Sequence, residues 1–202
     1  MIAEFGQFAL AMALIVALAQ STVPLLGSAR GDMAMMRFGR ASAWVQLAAI
    51  AVVFVALGHA YVTSDFSVAT VARNSHTTMP MLYKLTGVWG NHEGSMVLWV
   101  LILAIMSVLV ASFGANLPES LRARVLAVQG MIGTAFLAFI LFTSNPFARQ
   151  FPPPADGREL NPLLQDPGLA FHPPWLYLGY VGFSVAFSFA VAALIEGKVD
   201  PA

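Results

Sequence analysis

Cysteine is absent from the 202 residues. That excludes disulfides, thiolate metal sites and thiol nucleophiles. It also excludes the C-x-x-C-H pattern through which a chain anchors haem covalently to itself. Charge is scarce as well. Asp, Glu, Lys and Arg make up 10% of the chain, against about 25% in a soluble domain. The ten basic and ten acidic residues cancel, so there is no electrostatic case for nucleic acid or any other polyanionic partner. Two further patterns are missing. No pair of carboxylates lies close enough in sequence to argue for acid–base chemistry, and no Gly-rich phosphate loop is present. What fills the chain instead is apolar: 58% hydrophobic residues and a mean hydropathy of +0.76.

The apolar residues gather into five runs long enough to cross a bilayer, which takes roughly 20 helical residues. They lie near residues 5–26, 41–62, 95–113, 125–143 and 175–195, which predicts an all-α, polytopic membrane helix bundle forming a single domain over residues 1–202. The first run has only Glu4 before it, with no Lys or Arg, and it is longer than the apolar core of a secretory signal. It reads as a retained span, with a kink or stop at Pro24. Residues 27–40 read as a loop holding Arg30, Arg37 and Arg40. Arg122, Arg124 and Lys198 fall on the same side. Arg73, Lys84, Arg149 and Arg158 fall on the other. This Lys and Arg excess places the N-terminus outside and the C-terminus inside, with the longer connections, 64–94 and 144–172, on the outer face. Membrane lipid is then a constant partner. Near-absence of charge within the spans argues against an ion pathway. Ser184, Ser188 and Ala192 recur four apart, a small-residue stripe that admits a close neighbouring helix.

Both outer connections end in polar junctions carrying histidine. The first junction includes Trp89, Asn91, His92, Glu93 and Gly94. Asn91 is placed to cap the next helix and Glu93 to meet its positive end. The second is the stretch from Gln165 to Tyr180, where His172 precedes Pro173 and Pro174. A residue before proline is pushed out of the helical region, and proline suits a first helical turn, so His172 is expected just outside a helix starting near Trp175. A neutral imidazole fixed beside Trp175, Tyr177 and Tyr180 has the chemistry of an axial ligand to haem iron. The alternative is a histidine that only caps the helix or bonds a loop carbonyl. His59 and His76 read as interfacial and loop histidines. Trp89, Trp99 and Trp175 read as aromatic-belt residues.

The segment Trp89-Gly-Asn-His-Glu-Gly-Ser-Met-Val-Leu-Trp99 resembles a motif of the CcmF/NrfE family of haem-handling proteins. So do Asn145-Pro-Phe147, Phe151-Pro-Pro-Pro154, Leu160-Asn-Pro-Leu-Leu-Gln-Asp-Pro-Gly168 and His172-Pro-Pro-Trp-Leu-Tyr-Leu-Gly-Tyr-Val-Gly-Phe-Ser184. The resemblance is to the N-terminal part of the cytochrome c-type biogenesis haem lyase subunit and runs over essentially the whole chain. It implies a protein of the bacterial inner membrane with its working loops in the periplasm. Such a protein receives haem b transiently from the CcmE holo-chaperone. With a CcmH-type subunit it supports thioether attachment of that haem to apocytochrome c. His172 matches the first of two periplasmic haem-iron ligands. Trp89, Asn91, His92, Glu93 and Gly94 match a motif of unassigned role. Readings kept beside it are an NrfE-type paralogue dedicated to one cytochrome and a non-catalytic scaffold or small-solute transporter.

One departure matters. The family's Trp-rich segment, its second periplasmic histidine and its membrane haem ligands lie beyond the final residues seen here. The remaining C-terminal part of the lyase is therefore an expected partner. The chain alone is expected to be inactive and to retain no haem.

Overall fold

The computed structural model describes residues 1–197; Lys198, counted above with the inner charges, lies outside them. Among the described residues the architecture is all-helical, and the only strand-like pairing is an isolated bridge between Val68 and Arg149. The five long helices are α1 (Ile2–Arg30), α2 (Met33–Val62), α5 (His92–Phe113), α6 (Glu119–Thr143) and α7 (Pro167–Glu196). Two short ones, α3 (Ala69–Asn74) and α4 (Met81–Gly87), lie between α2 and α5. All five long helices are long and apolar enough to cross a membrane, and the protein is a multi-pass membrane protein.

Residues 27–40 do not form the expected loop. α1 continues through Pro24 to Arg30 and α2 starts at Met33. Only a tight turn separates them. Gly31 adopts the left-handed conformation at φ 69°, which glycine reaches without a Cβ penalty, and its N–H donates to the Gly27 carbonyl. Asp32 then caps α2, accepting from the backbone N–H of Ala34 at 2.8 Å and Met35 at 3.1 Å. Arg37 and Arg40 consequently stand on the first turns of a helix.

The α1–α2 pairing follows from spacing. Buried positions on α1 include Ala3, Gly6, Leu10, Ala13, Ala17 and Gln20. On α2 they include Met36, Gly39, Ala43, Gln46, Ile50 and Val53. Steps of three and four put each set on one helix face, and small residues let the backbones close together. α6 also packs against α1. A Cβ built on Gly130 of α6 would lie 2.7 Å from the Ser21 backbone nitrogen and 2.9 Å from the Gln20 carbonyl carbon. α5 sits centrally against α2, α6 and α7. α7 uses the Ser184–Ser188–Ala192 stripe to meet α6, where the Gln129 side-chain amide donates to Ser188 Oγ at 2.9 Å and Ser184 Oγ at 3.2 Å.

The two long connections interlock over one end of the bundle. The Ala69 N–H donates to the Ala148 carbonyl at 2.8 Å, Gln150 N–H to Ser67 at 3.0 Å, and Arg158 N–H to Ala72 at 2.7 Å. Asp156 accepts from the Thr77 N–H at 3.0 Å and its hydroxyl at 2.8 Å. These contacts hold the Asp156 carboxyl below the usual carboxylate range. Arg149 gathers Glu4, Asp65 and Ser67 around one guanidinium. Phe147 fills the space over Gly6 of α1, where a Cβ would meet its ring at 2.4 Å. Val68, Val71 and Met79 are buried in this cap, whereas Met81, Leu82 and Leu85 are exposed. The opposite end carries Arg30, Arg37, Arg40, Arg122 and Arg124. There Arg122 pairs with Glu119, and Arg124 with Glu196.

Candidate functional site

His172 lies inside α7, not before it. The helix starts at Pro167, eight residues ahead of the expected start at Trp175. The cause is the Asp166-Pro167-Gly168 sequence. Asp166 Oδ1 accepts the Gly168 N–H at 2.8 Å, and its carbonyl accepts the Ala170 N–H at 2.8 Å. Aspartate at the cap with proline at the first helical position is a favoured helix start. Pro173 and Pro174 thus interrupt a helix already under way. Their effect is on the carbonyls one turn back, which lose their donors.

Ala170 shows how this is resolved. The residues three and four ahead of it are Pro173 and Pro174, so neither offers an N–H to its carbonyl. The Trp89 indole supplies one, donating Nε1–H to Ala170 O at 2.8 Å across the bundle. Ala170 is buried at 4% exposure. His172 follows two residues later, roughly 200° around the helix, and is exposed together with Phe171 and Trp175. Among the described residues its imidazole makes no hydrogen bond. The result is an exposed imidazole on the same helical turn as two exposed aromatic side chains, Phe171 and Trp175, with that turn pinned from behind.

The first junction is a framework of hydrogen bonds. Asn91 caps α5 by accepting the Gly94 N–H at 2.8 Å. Its amide also donates to Tyr61 Oη at 2.8 Å and to the Gly87 carbonyl at 2.7 Å, and its oxygen accepts from Thr70 at 3.2 Å. One side chain therefore ties α2, α3, α4 and α5. Gly94 has no room for a side chain, since a Cβ would sit 1.6 Å from the Val88 carbonyl oxygen. Glu93 pairs with Arg73 of α3 at 3.3 Å. His92 Nε2 lies 2.9 Å from Ser144 Oγ, at the far end of α6, and its ring stands edge-on to Phe139.

Trp89 and Trp99, half-buried, both pack against rings of neighbouring helices. Trp89 stacks on Phe54 of α2, centroids 6.3 Å apart. Trp99 packs between Phe136 of α6 at 5.5 Å and Tyr177 of α7 at 5.4 Å. Trp175 remains exposed at 72%. A cavity of about 350 Å³ lies where the two junctions meet, lined among others by Trp89, Asn91, His92, Leu160, Pro173 and Tyr177. The two motifs therefore form one site region, although His172 itself points away from its buried side. His76 bonds only locally, Nδ1 to Thr78 Oγ1 at 3.0 Å. Among the described residues no group of three His, Cys, Asp or Glu side chains is arranged to hold a metal ion. A single axial ligand to a porphyrin-bound iron needs no such group. Sequence reasoning missed the Trp89–Ala170 bond and the Tyr61–Asn91 contact. The consecutive prolines were a signal for the first, since they announce an orphaned carbonyl; nothing local announced the second.

Residues 89–200 match the family model described as cytochrome C assembly protein. The chain is 64% identical over its whole length to the cytochrome c-type biogenesis protein ccl1 of Rhodobacter capsulatus, covering 31% of that protein. It is 55% identical to the cytochrome c-type biogenesis protein CcmF of Pseudomonas aeruginosa, again over its full length and 31% of the relative. Among solved structures, one titled cytochrome c heme lyase CcmF superposes with a TM-score of 0.85 at 31% identity, over 98% of this chain and 31% of that one. The chain thus spans about a third of the length of the relatives it matches.

Proposed function

The chain belongs to the cytochrome c assembly protein family, and from that premise we propose that it provides the first of two axial histidines through which a haem lyase holds its cargo. His172 is that ligand. One observation carries the reading: His172 is exposed beside Phe171 and Trp175, on a turn whose inner face is fixed to the bundle through Ala170. A flat, largely apolar ring with iron at its centre fits such a surface, and the imidazole nitrogen supplies the donor. The cap and His172 then face the periplasm across the inner membrane. The charge distribution supports this: Arg30, Arg37, Arg40, Arg122 and Arg124 at the opposite end outnumber Arg73, Lys84, Arg149 and Arg158 at the cap, and an excess of Lys and Arg favours the cytoplasmic side.

In this scheme haem b is cargo, delivered by the CcmE chaperone and passed to an apocytochrome c presented with a CcmH-type subunit. Attachment adds each cysteine thiol across a haem vinyl group. Sulfur bonds one vinyl carbon and the thiol proton goes to the other, so no oxidant or reductant is consumed. The chain's own part is positional. Fixing one partner of a two-body reaction removes much of its entropic barrier. The remaining length of the full protein supplies the second ligand.

The test is His172→Ala in the full-length protein. Covalent cytochrome c should be lost while the membrane protein accumulates at its normal level. Normal cytochrome c assembly in that variant rejects the assignment, as does labelling that places residue 172 on the cytoplasmic side.

A further inference from the structure

The first junction has one member whose task the haem-ligand reading leaves open: the Trp89 indole N–H. We propose that Trp89 is the positioning residue for His172, acting by replacing the helix hydrogen bond that Pro173 and Pro174 abolish. The inference rests on His172 being the ligand and assigns the device that aims it.

The Ala170 carbonyl is buried and has proline at both positions from which a helical N–H would come. Without another donor the turn carrying Phe171 and His172 would tilt to hydrate it, because a buried carbonyl without a partner is costly. Trp89 Nε1 fills that role at 2.8 Å. The donor is itself rigid. Its ring is stacked on Phe54, and the turn it sits on is held by Asn91 bonds to Tyr61 Oη and the Gly87 carbonyl. A continuous path therefore runs from the buried end of α2 through Asn91 and Trp89 to the carbonyl two residues before His172. Removing the N–H leaves the ring packing in place but frees the turn, and with it the direction of the imidazole.

The experiment uses the full-length lyase in detergent with haem as the added probe. Haem retention and the low-spin signal in electron paramagnetic resonance are compared for wild type, His172→Ala, Trp89→Phe, and Trp89→Phe combined with Pro174→Ala. Phenylalanine keeps the stacking surface and deletes the donor. Alanine at 174 restores an intrahelical N–H to Ala170, which makes the indole redundant. The share of signal lost in His172→Ala defines the site. Trp89→Phe should reduce that share, with haem retention falling about five- to tenfold, the effect of losing one hydrogen bond. The double variant should recover it. A Trp89→Phe protein indistinguishable from wild type, while His172→Ala loses its signal, overturns the positioning role alone. Loss that Pro174→Ala does not rescue overturns it too. An unchanged His172→Ala signal removes the proposal together with its premise.

Discussion

Gly130 and Gly133 of α6 stand three residues apart and should respond to alanine with opposite sign. In a helix interior alanine is favoured over glycine by roughly 1 kcal/mol. At Gly133 nothing opposes that gain. The nearest atoms to a new Cβ are the Leu103 and Ala17 side chains at 3.8 and 4.0 Å, ordinary contact distances. Gly133→Ala should therefore stabilise by about 0.5–1 kcal/mol. At Gly130 the same methyl meets the α1 backbone at 2.7 and 2.9 Å. Backbone cannot rotate aside, so α1 and α6 must separate. Overpacking of this kind costs about 1–3 kcal/mol. The separation also strains the bond from Gln20 Nε2 to the Leu126 carbonyl at 3.1 Å, worth a further 0.5–1.5 kcal/mol or so. After the propensity gain, Gly130→Ala should be destabilised by about 1–3 kcal/mol net. Reversible unfolding in mixed micelles, followed by far-UV circular dichroism, reads both variants against wild type. Finding Gly130→Ala at least as stable as Gly133→Ala would refute the claim that the α1–α6 contact is backbone-limited.

Asn91→Ala removes a helix cap and strands its partners on α2 and α4, so it should lower stability by about 2–3 kcal/mol. Asn91→Asp keeps the cap acceptor but not the donors, and should lose less in the same unfolding assay. The Asp156–Thr77 clasp joining the two connections is pH-dependent in a defined direction. Because the Asp156 carboxyl is held below its ordinary value by the Thr77 hydroxyl and the backbone N–H groups, the clasp contributes above the unfolded carboxylate pKa of about 4 and is lost as pH falls through the lower folded value. Hydrogen exchange at the Thr77 amide should show protection persisting to about pH 4 and disappearing below it. In Asp156→Asn that pH step should vanish, and a step of unchanged size would contradict the assignment.

Five apolar runs of bilayer length, with histidine junctions at one end, were readable from residue order because the length and hydropathy of a span are local properties. The Ser184–Ser188–Ala192 stripe was readable for the same reason, and it meets Gln129 of α6. Helix boundaries were less legible. Arginines on a helical turn and in a loop look alike in sequence, so residues 27–40 read as a loop where the structure has only the turn at Gly31-Asp32. The prolines at 173 and 174 read in sequence as an entrance, which puts the start of α7 near Trp175 rather than at Pro167. The cap at Asp166 had already begun the helix.

Sequence alone determined that this chain carries five apolar spans of bilayer length and that two prolines directly follow His172. Those facts depend on composition and on neighbours a few positions away. Only the tertiary structure decided that Trp89, 81 positions before Ala170, supplies the hydrogen bond those prolines remove. A carbonyl orphaned in sequence can be satisfied from anywhere in space, and which donor reaches it is settled by how the helices pack.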